Sequence, residues 1–378
     1  MRTLVLDAGE IGGGAARMNA GFIGRTLKKS LGWLEAHRGE KHALGIYNEL
    51  SDAFSRVGTV IEDEGIECHY RTCGRYIAAN SARHLQELTA SLDELKNKLG
   101  LGYQLVVRSN QDNELKAGRY CGGVVIPDLA SIHPGLYHDG LLKRAVEAGV
   151  MFQSGPRVFR ITGDAKKKIV ETAAGRVAAR EILVATNGYA TGAFHWLARG
   201  LVPFRGYAVA TEILPTELID AVLTKRRTYL DTKVNIDFIR SAPDSERIIF
   251  DGMSGGLSGN ARLKAVALRE RFVDILPDLR GVKIGRTWTG FCAGTLEFMS
   301  HIGYRRGIHF ASGYNFAGVP IGTMFGQKIA FRILGAGDGF SFFERTSIPK
   351  LPFHCGSGLL APVAMRYFDL LDSWKTMS

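Results

Sequence analysis

Three stretches carry residue types whose spacing could do chemistry. The first is the short apolar run 3–6, closed by Asp7 and then by Gly9, Gly12, Gly13 and Gly14. A run this short, ended by an acid and glycines, predicts a buried strand that delivers its last residue to a ligand loop. A carboxylate placed there can hydrogen-bond ribose hydroxyls, as the acid ending the second strand of a dinucleotide-binding sheet does. The second stretch is 307–330, where a strand is expected to end at Gly313 and a helix to open near Gly318. Free N–H groups and the positive end of a helix would there face an anion or an electron-rich edge. The third is Arg240, on a short predicted strand. Its guanidinium can hold a carboxylate bidentately, and equally an ion pair on an exposed strand.

The elements that must position these residues follow from periodicity. In a dinucleotide-binding sheet the glycine fingerprint for the pyrophosphate lies about 20 residues before the acid. With the acid at position 7 there is no room for it, so the chain is expected to begin at the second strand of its own cofactor domain. Leu44, Tyr47, Leu50, Phe54, Val57 and Ile61 recur at steps of three and four, which predicts an amphipathic helix closed by Gly65. Ser81 caps a second helix, whose Leu85, Leu88, Leu92, Leu95 and Leu99 read as one stripe packed onto a sheet, not as a zipper. Pro134 starts a third, with His133 as a capping or turn residue in preference to a catalytic base. Residues 181–189 read as a buried strand running into a polar turn at Thr186 and Asn187. Short strands are expected at 228–230, 236–240 and 247–250, the last closed by Asp251-Gly252. Asn260 opens a helix that Pro277 ends.

With these residues in place, the chain resembles the FAD-dependent amine and amino-acid oxidases of the D-amino-acid oxidase superfamily. Gly12, Gly14, Ala15, Asn19, Gly21 and Phe22 match that family's flavin loop, G-x-G-A-S-G-R-N-x-G-F, and Gly13 lies within it; Ala16, Arg17 and Met18 depart. The segment 181–189 is similar to the family's lVlATNAY. The segment 285–303 is similar to W-x-G-x-r-p-x-T-p-D-x-l-P-x-I-G, keeping Trp288, Gly290, Thr295, Ile302 and Gly303, with Cys292, Glu297 and His301 in place of Arg, Asp and Pro. By register, Cys292 is not where some relatives attach flavin, and a buried free thiol is expected. The string 307–330 resembles the last cofactor motif, and the tail 352–372 resembles the γ-glutamylputrescine-oxidase-type branch. Between 247 and 252 the family reads R-i-l-f-g-G.

The resemblance implies a mixed α/β fold. A Rossmann-like FAD domain, N-terminally truncated, would comprise 1–65, 123–205 and 285–378. An interleaved antiparallel-sheet substrate domain would comprise 66–122 and 206–284. It implies FAD held by Asp7, Gly12, Gly13, Gly14, Ala15, Asn19, Gly21, Val158, Thr186, Asn187, Gly313, Gly318, Val319, Gly322 and Thr323. Arg240 would take a substrate carboxylate, and Tyr207 and Trp288 would wall the pocket. The implied reaction oxidises a C–N bond of a small amine or amino acid: a hydride passes to flavin, the imine is hydrolysed, and oxygen or another acceptor reoxidises the flavin.

Composition bounds the alternatives. In 378 residues, 46% hydrophobic and 22% charged content is ordinary for a globular protein. No apolar run reaches the roughly 18 residues of a membrane span. The N-terminus reads as a folded strand and not as a signal peptide, so a cytoplasmic location is expected. The five cysteines (Cys68, Cys73, Cys121, Cys292, Cys355) are odd in number and scattered, which supports free thiols and neither a disulfide framework nor a zinc site. The net charge of +11 comes from dispersed basic residues, so no nucleic-acid partner is expected. Two other readings stand beside the oxidase: a non-catalytic remnant that binds no flavin and, more weakly, a basic nucleic-acid-binding protein. Without the pyrophosphate loop the chain as given is expected to hold FAD weakly. Equilibrium titration checks this, and a submicromolar dissociation constant would show that the remaining contacts suffice.

Overall fold

The computed structural model describes all residues except 165, 245, 254–260, 351–353, 355–359 and 378. It is a mixed α/β fold built on an eight-stranded sheet. The strand order across that sheet is Ile284–Gly294, Val202–Thr211, Ile248–Met253, Asp237–Ser241, Thr228–Asp231, Arg75–Ala78, Gly123–Ile126 and Gln104–Val106. Every neighbouring pair is antiparallel except Thr228–Asp231 against Arg75–Ala78, which is parallel.

Side chains alternate across such a sheet with period two, and the sequence separates the two faces accordingly. One face carries Tyr76, Tyr207, Val209, Tyr229, Ile239, Ile248 and Phe250. These pack against Leu268, Phe272 and Ile275 of the helix Ala261–Ile275 and Ile219 and Val222 of the helix Thr216–Val222. Each such side chain contributes about 1.5–3 kcal/mol when fully buried. The register puts Phe204, Ala208, Phe238, Asp251, Trp288, Gly290 and Cys292 on the other face, and there the functional site is built.

The cofactor side is assembled from smaller pieces. Leu4–Asp7 pairs in parallel with Met151–Ser154. Leu183–Val184 pairs in parallel with Ile308–Ser312, which forms an antiparallel hairpin with His301–Arg305. Among the described residues these are two separate sheets. The strands expected to be buried at 3–6 and 181–189 are instead partly open, because each has a single strand partner among the described residues: Leu4 is 37%, Val5 38% and Leu183 42% exposed. The helices Glu40–Asp63 and Gly318–Leu334 pack beside them through Ile46, Leu50, Ile321, Met324 and Phe325, with Met299, Ile302 and Ala311. No helix among the described residues is long and apolar enough to cross a membrane.

The predicted caps are present. The Ser81 hydroxyl accepts from the His84 N–H, and His133 Nδ1 accepts from the Leu136 N–H at 3.3 Å. Two further expectations are corrected. The C-terminal end of the leucine stripe of the helix Ala82–Leu99 lies on another helix: Leu95 and Leu99 join the cluster of Leu31 and Leu34, and the Gly32 N–H donates to Glu94 there. Asp251-Gly252 does not close its strand but lies inside Ile248–Met253, because Asp237 and Phe238 still pair with it. Asn260 and, apart from His354, the string 352–356 lie outside the described residues.

A strand with one partner and half-open apolar side chains opens at low free energy, whereas core strands open only with global unfolding. The amides of Leu4–Asp7 are therefore expected to exchange orders of magnitude faster than those of Val209 and Phe250. Hydrogen exchange followed by mass spectrometry checks this, and equal protection would contradict it.

Candidate active site

The site forms where three loops meet the second face and the edge of the large sheet. The first runs from Gly12 to Gly21. The Gly13 N–H donates to Glu10 O at 2.9 Å, and the Arg17 and Met18 N–H groups both donate to Gly14 O, so the backbone folds back on itself. Asn19 closes the turn: Nδ2 donates to Ala15 O (2.9 Å) and Ala16 O (3.0 Å), and Oδ1 accepts from the Gly21 N–H (2.9 Å). Gly21 has φ +71°, and a Cβ there would stand 2.3 Å from Ile132 O, so only glycine fits. Arg240 then ties loop to sheet, since its Nη1 donates to both Gly21 O (3.0 Å) and Ile132 O (2.9 Å). The Met18 backbone lies over Gly290, and the Phe22 and Phe238 rings meet edge-on at 5.4 Å.

The second and third loops close on the strand Ile284–Gly294. A Cβ on Gly188 would be 3.0 Å from Cys292 O, and the Tyr189 hydroxyl accepts from the Phe291 N–H at 3.0 Å. Asn187 Oδ1 accepts from the Gly313 N–H at 3.0 Å. Asn315 donates its N–H to Ala293 O and accepts from the Thr295 N–H, both at 3.1 Å. Asn187, Asn315 and Phe316 all sit at positive φ (42°, 47° and 73°). Such backbone costs about 1–3 kcal/mol per residue and persists only where the surroundings over-determine it. The helix Gly318–Leu334 begins without a side-chain cap, which leaves the Gly318 and Val319 N–H groups free of side-chain acceptors; Pro320 has no N–H. Among the described residues the buried Thr186 hydroxyl has no hydrogen-bond partner.

The remaining predicted cofactor residues divide. Asp7 accepts from the Gly9 N–H at 2.8 Å through Oδ1, and its carbonyl accepts from the Gly155 N–H at 2.9 Å. Val158 follows three residues on, half-buried at the start of Val158–Gly163. Gly322 lies beside the Tyr314 ring. Thr323 is engaged elsewhere: its hydroxyl donates to Val319 O and sits 3.0 Å from the Tyr137 hydroxyl. The Val319 side chain packs against the cluster of Ile23, Val57 and Tyr137.

Of the predicted pocket residues, Trp288 lies half-buried on the loop-facing side. Tyr207 is on the opposite face, 8% exposed within the core. Arg240 is buried, and its Nη1 is committed to the two carbonyls; burial lowers its pKa to about 10, so it stays cationic at neutral pH. One residue escaped sequence reasoning. Asp251 stands on the loop-facing side between Ala208 and Phe238, with Cys292 near it. Among the described residues its carboxyl has no hydrogen-bond or ion-pair partner, and burial pushes it up to about 7. The signal was there: an acid occupies a position where the resembling pattern has glycine. Burial likewise pushes the Cys292 thiol up to about 12, so it is no thiolate at neutral pH.

This arrangement is that of a flavin-dependent oxidoreductase. The chain belongs to the DAO family of FAD-dependent oxidoreductases, whose family model matches residues 1–332. It is 25% identical over 383 residues to the probable oxidoreductase OrdL of Haemophilus influenzae, covering 99% of this chain and 87% of that protein. It is also 25% identical over 382 residues to the gamma-glutamylputrescine oxidoreductase of Escherichia coli, covering 98% and 87%. In fold it is similar to glycine oxidase from Geobacillus kaustophilus, with a TM-score of 0.73 at 17% identity over 93% of this chain and 92% of that one. The iminodiacetate oxidase from Chelativorans sp. BNC1 is equally similar, with a TM-score of 0.73 at 17% identity over 92% and 100%. The residues fit FAD, the family's cofactor. The free N–H groups of Gly318 and Val319 suit the electron-rich edge of the flavin ring, Asp7 suits a ribose, and the partnerless Thr186 hydroxyl and the glycine-lined loop suit the groups between.

Because Arg240 holds the flavin loop to the sheet, Arg240→Ala is expected to destabilise the protein by about 3 kcal/mol, a hydrogen bond to a charged group being worth about 1.5–3 kcal/mol. Denaturant unfolding measures this. A change below about 0.5 kcal/mol, the range of an ordinary surface substitution, would mean that the loop is held by other contacts.

Proposed function

We propose that the chain oxidises a C–N bond of a small amine or amino acid, with the electrons passing on to oxygen or another acceptor. The observation that carries this is the convergence of three loops on Gly290 and Cys292, beside a face that presents Trp288, Phe238 and Asp251. Trp288 and Phe238, on the same face of the sheet, shield the reacting carbon from water. Bound FAD supplies the hydride acceptor. The uncapped end of Gly318–Leu334 is aligned to stabilise negative charge developing near it. The relatives named for gamma-glutamylputrescine, glycine and iminodiacetate all act on molecules with a C–N bond, which supports this reading. We assign the cofactor half to 1–65, 123–205 and 285–378 and the substrate half to 66–122 and 206–284.

Protein loaded with FAD and mixed without oxygen with a panel of diamines, acylated diamines, glycine and N-substituted glycines is expected to lose its flavin absorbance with at least one of them. Retention of the oxidised spectrum with every compound would contradict the assignment.

A further inference from the structure

We propose that Asp251 seats a cationic nitrogen of the substrate, so that the site takes an alkylamine or diamine in preference to an α-amino acid. The proposal rests on this face being the amine-oxidising site. Asp251 lies mid-strand in Ile248–Met253, directly across from Ala208 on one neighbour and Phe238 on the other, and Ala208 in turn faces Trp288. The carboxyl therefore stands on a floor of one small and two aromatic side chains, whose rings favour a cation.

Among the described residues no fixed cation serves it. The Arg240 guanidinium, next but one along the neighbouring strand, turns Nη1 to Gly21 O and Ile132 O. The Lys264 ammonium lies over the Tyr207 ring on the opposite face of the sheet. Cys292, the titratable neighbour from the strand Ile284–Gly294, is held neutral. A half-buried carboxylate without a counter-ion loses part of its hydration, so a ligand that brings the charge is favoured. An α-amino acid would bring its own carboxylate close to Asp251, and like charges at that range repel.

The sign of the pH effect follows. Burial raises the Asp251 pKa to about 7, so the carboxylate that attracts a cation is depleted below that pH and complete above it. Alkylammonium groups stay charged to about pH 10, as lysine does. Affinity for a diamine should therefore rise as pH goes from 6 to 8.5.

The test is equilibrium binding to the FAD-loaded protein without oxygen, using 1,4-diaminobutane and ornithine, which is the same diamine bearing an α-carboxylate. Wild type is expected to bind 1,4-diaminobutane at least tenfold more tightly than ornithine. Asp251→Asn and Asp251→Ala should each weaken diamine binding at least tenfold and abolish its rise with pH. Thermal melting identifies any variant that fails to fold, and the other then decides. Diamine affinity unchanged in a folded variant, ornithine bound as tightly as the diamine by wild type, or no diamine binding by wild type would overturn the proposal. Flavin reduction is recorded separately. A flavin reduced by amines together with unchanged binding in the variants would overturn the role of Asp251 alone. Loss of binding in the variants with no flavin reduction would support that role and overturn the oxidase reading.

Discussion

The structure depends on a buried cation that bonds to backbone. Arg240 carries its charge into the interior and meets it with the carbonyls of Gly21 and Ile132, which come from two different segments. A guanidinium presents several donors in one plane, which a lysine ammonium cannot reproduce. The interaction joins the loop Gly12–Gly21, the turn before the helix Pro134–Glu147 and the large sheet at a single point. Removing the side chain would take a donor from both carbonyls, Gly21 O keeping only the Ile132 N–H, and free the loop to drift from Gly290.

The strand Ile284–Gly294 is the second shared constraint. Its Phe291 N–H donates to the Tyr189 hydroxyl, its Ala293 O accepts from the Asn315 N–H, and its glycines let Met18 and Phe204 approach. Three loops far apart in sequence are thereby held to one edge. The positive φ angles at Asn187, Asn315 and Phe316 are what that convergence costs the backbone.

Much of this was legible in the sequence. Helix periodicity and caps announce themselves locally, so the helix Glu40–Asp63, the cap at Ser81 and the turn at His133-Pro134 could be read directly. The glycine-rich loops were legible because close backbone approach leaves few other choices. The face of a strand was not legible where both faces are covered. Tyr207 and Trp288 sit on neighbouring strands, both aromatic and neither fully exposed, and only the register shows that they point to opposite sides. Asp251 was misplaced for a related reason. An acid beside a glycine is a turn signal, and only pairing on both sides shows that the strand continues through it.

The topology of the large sheet also bears on how the protein comes to be folded. Its one parallel contact sets Arg75 beside Thr228, and its last antiparallel contact closes only when residues 284–294 arrive. The chain must therefore close loops of well over a hundred residues before its central core exists. Such nonlocal pairing slows folding relative to chains of local contacts. On the ribosome, where synthesis proceeds at about 5–20 residues per second, the first hundred residues emerge many seconds before their partners. The strand Arg75–Ala78 and the helix Glu40–Asp63 wait through that interval with their apolar faces uncovered, so chaperone demand is written into the strand order itself.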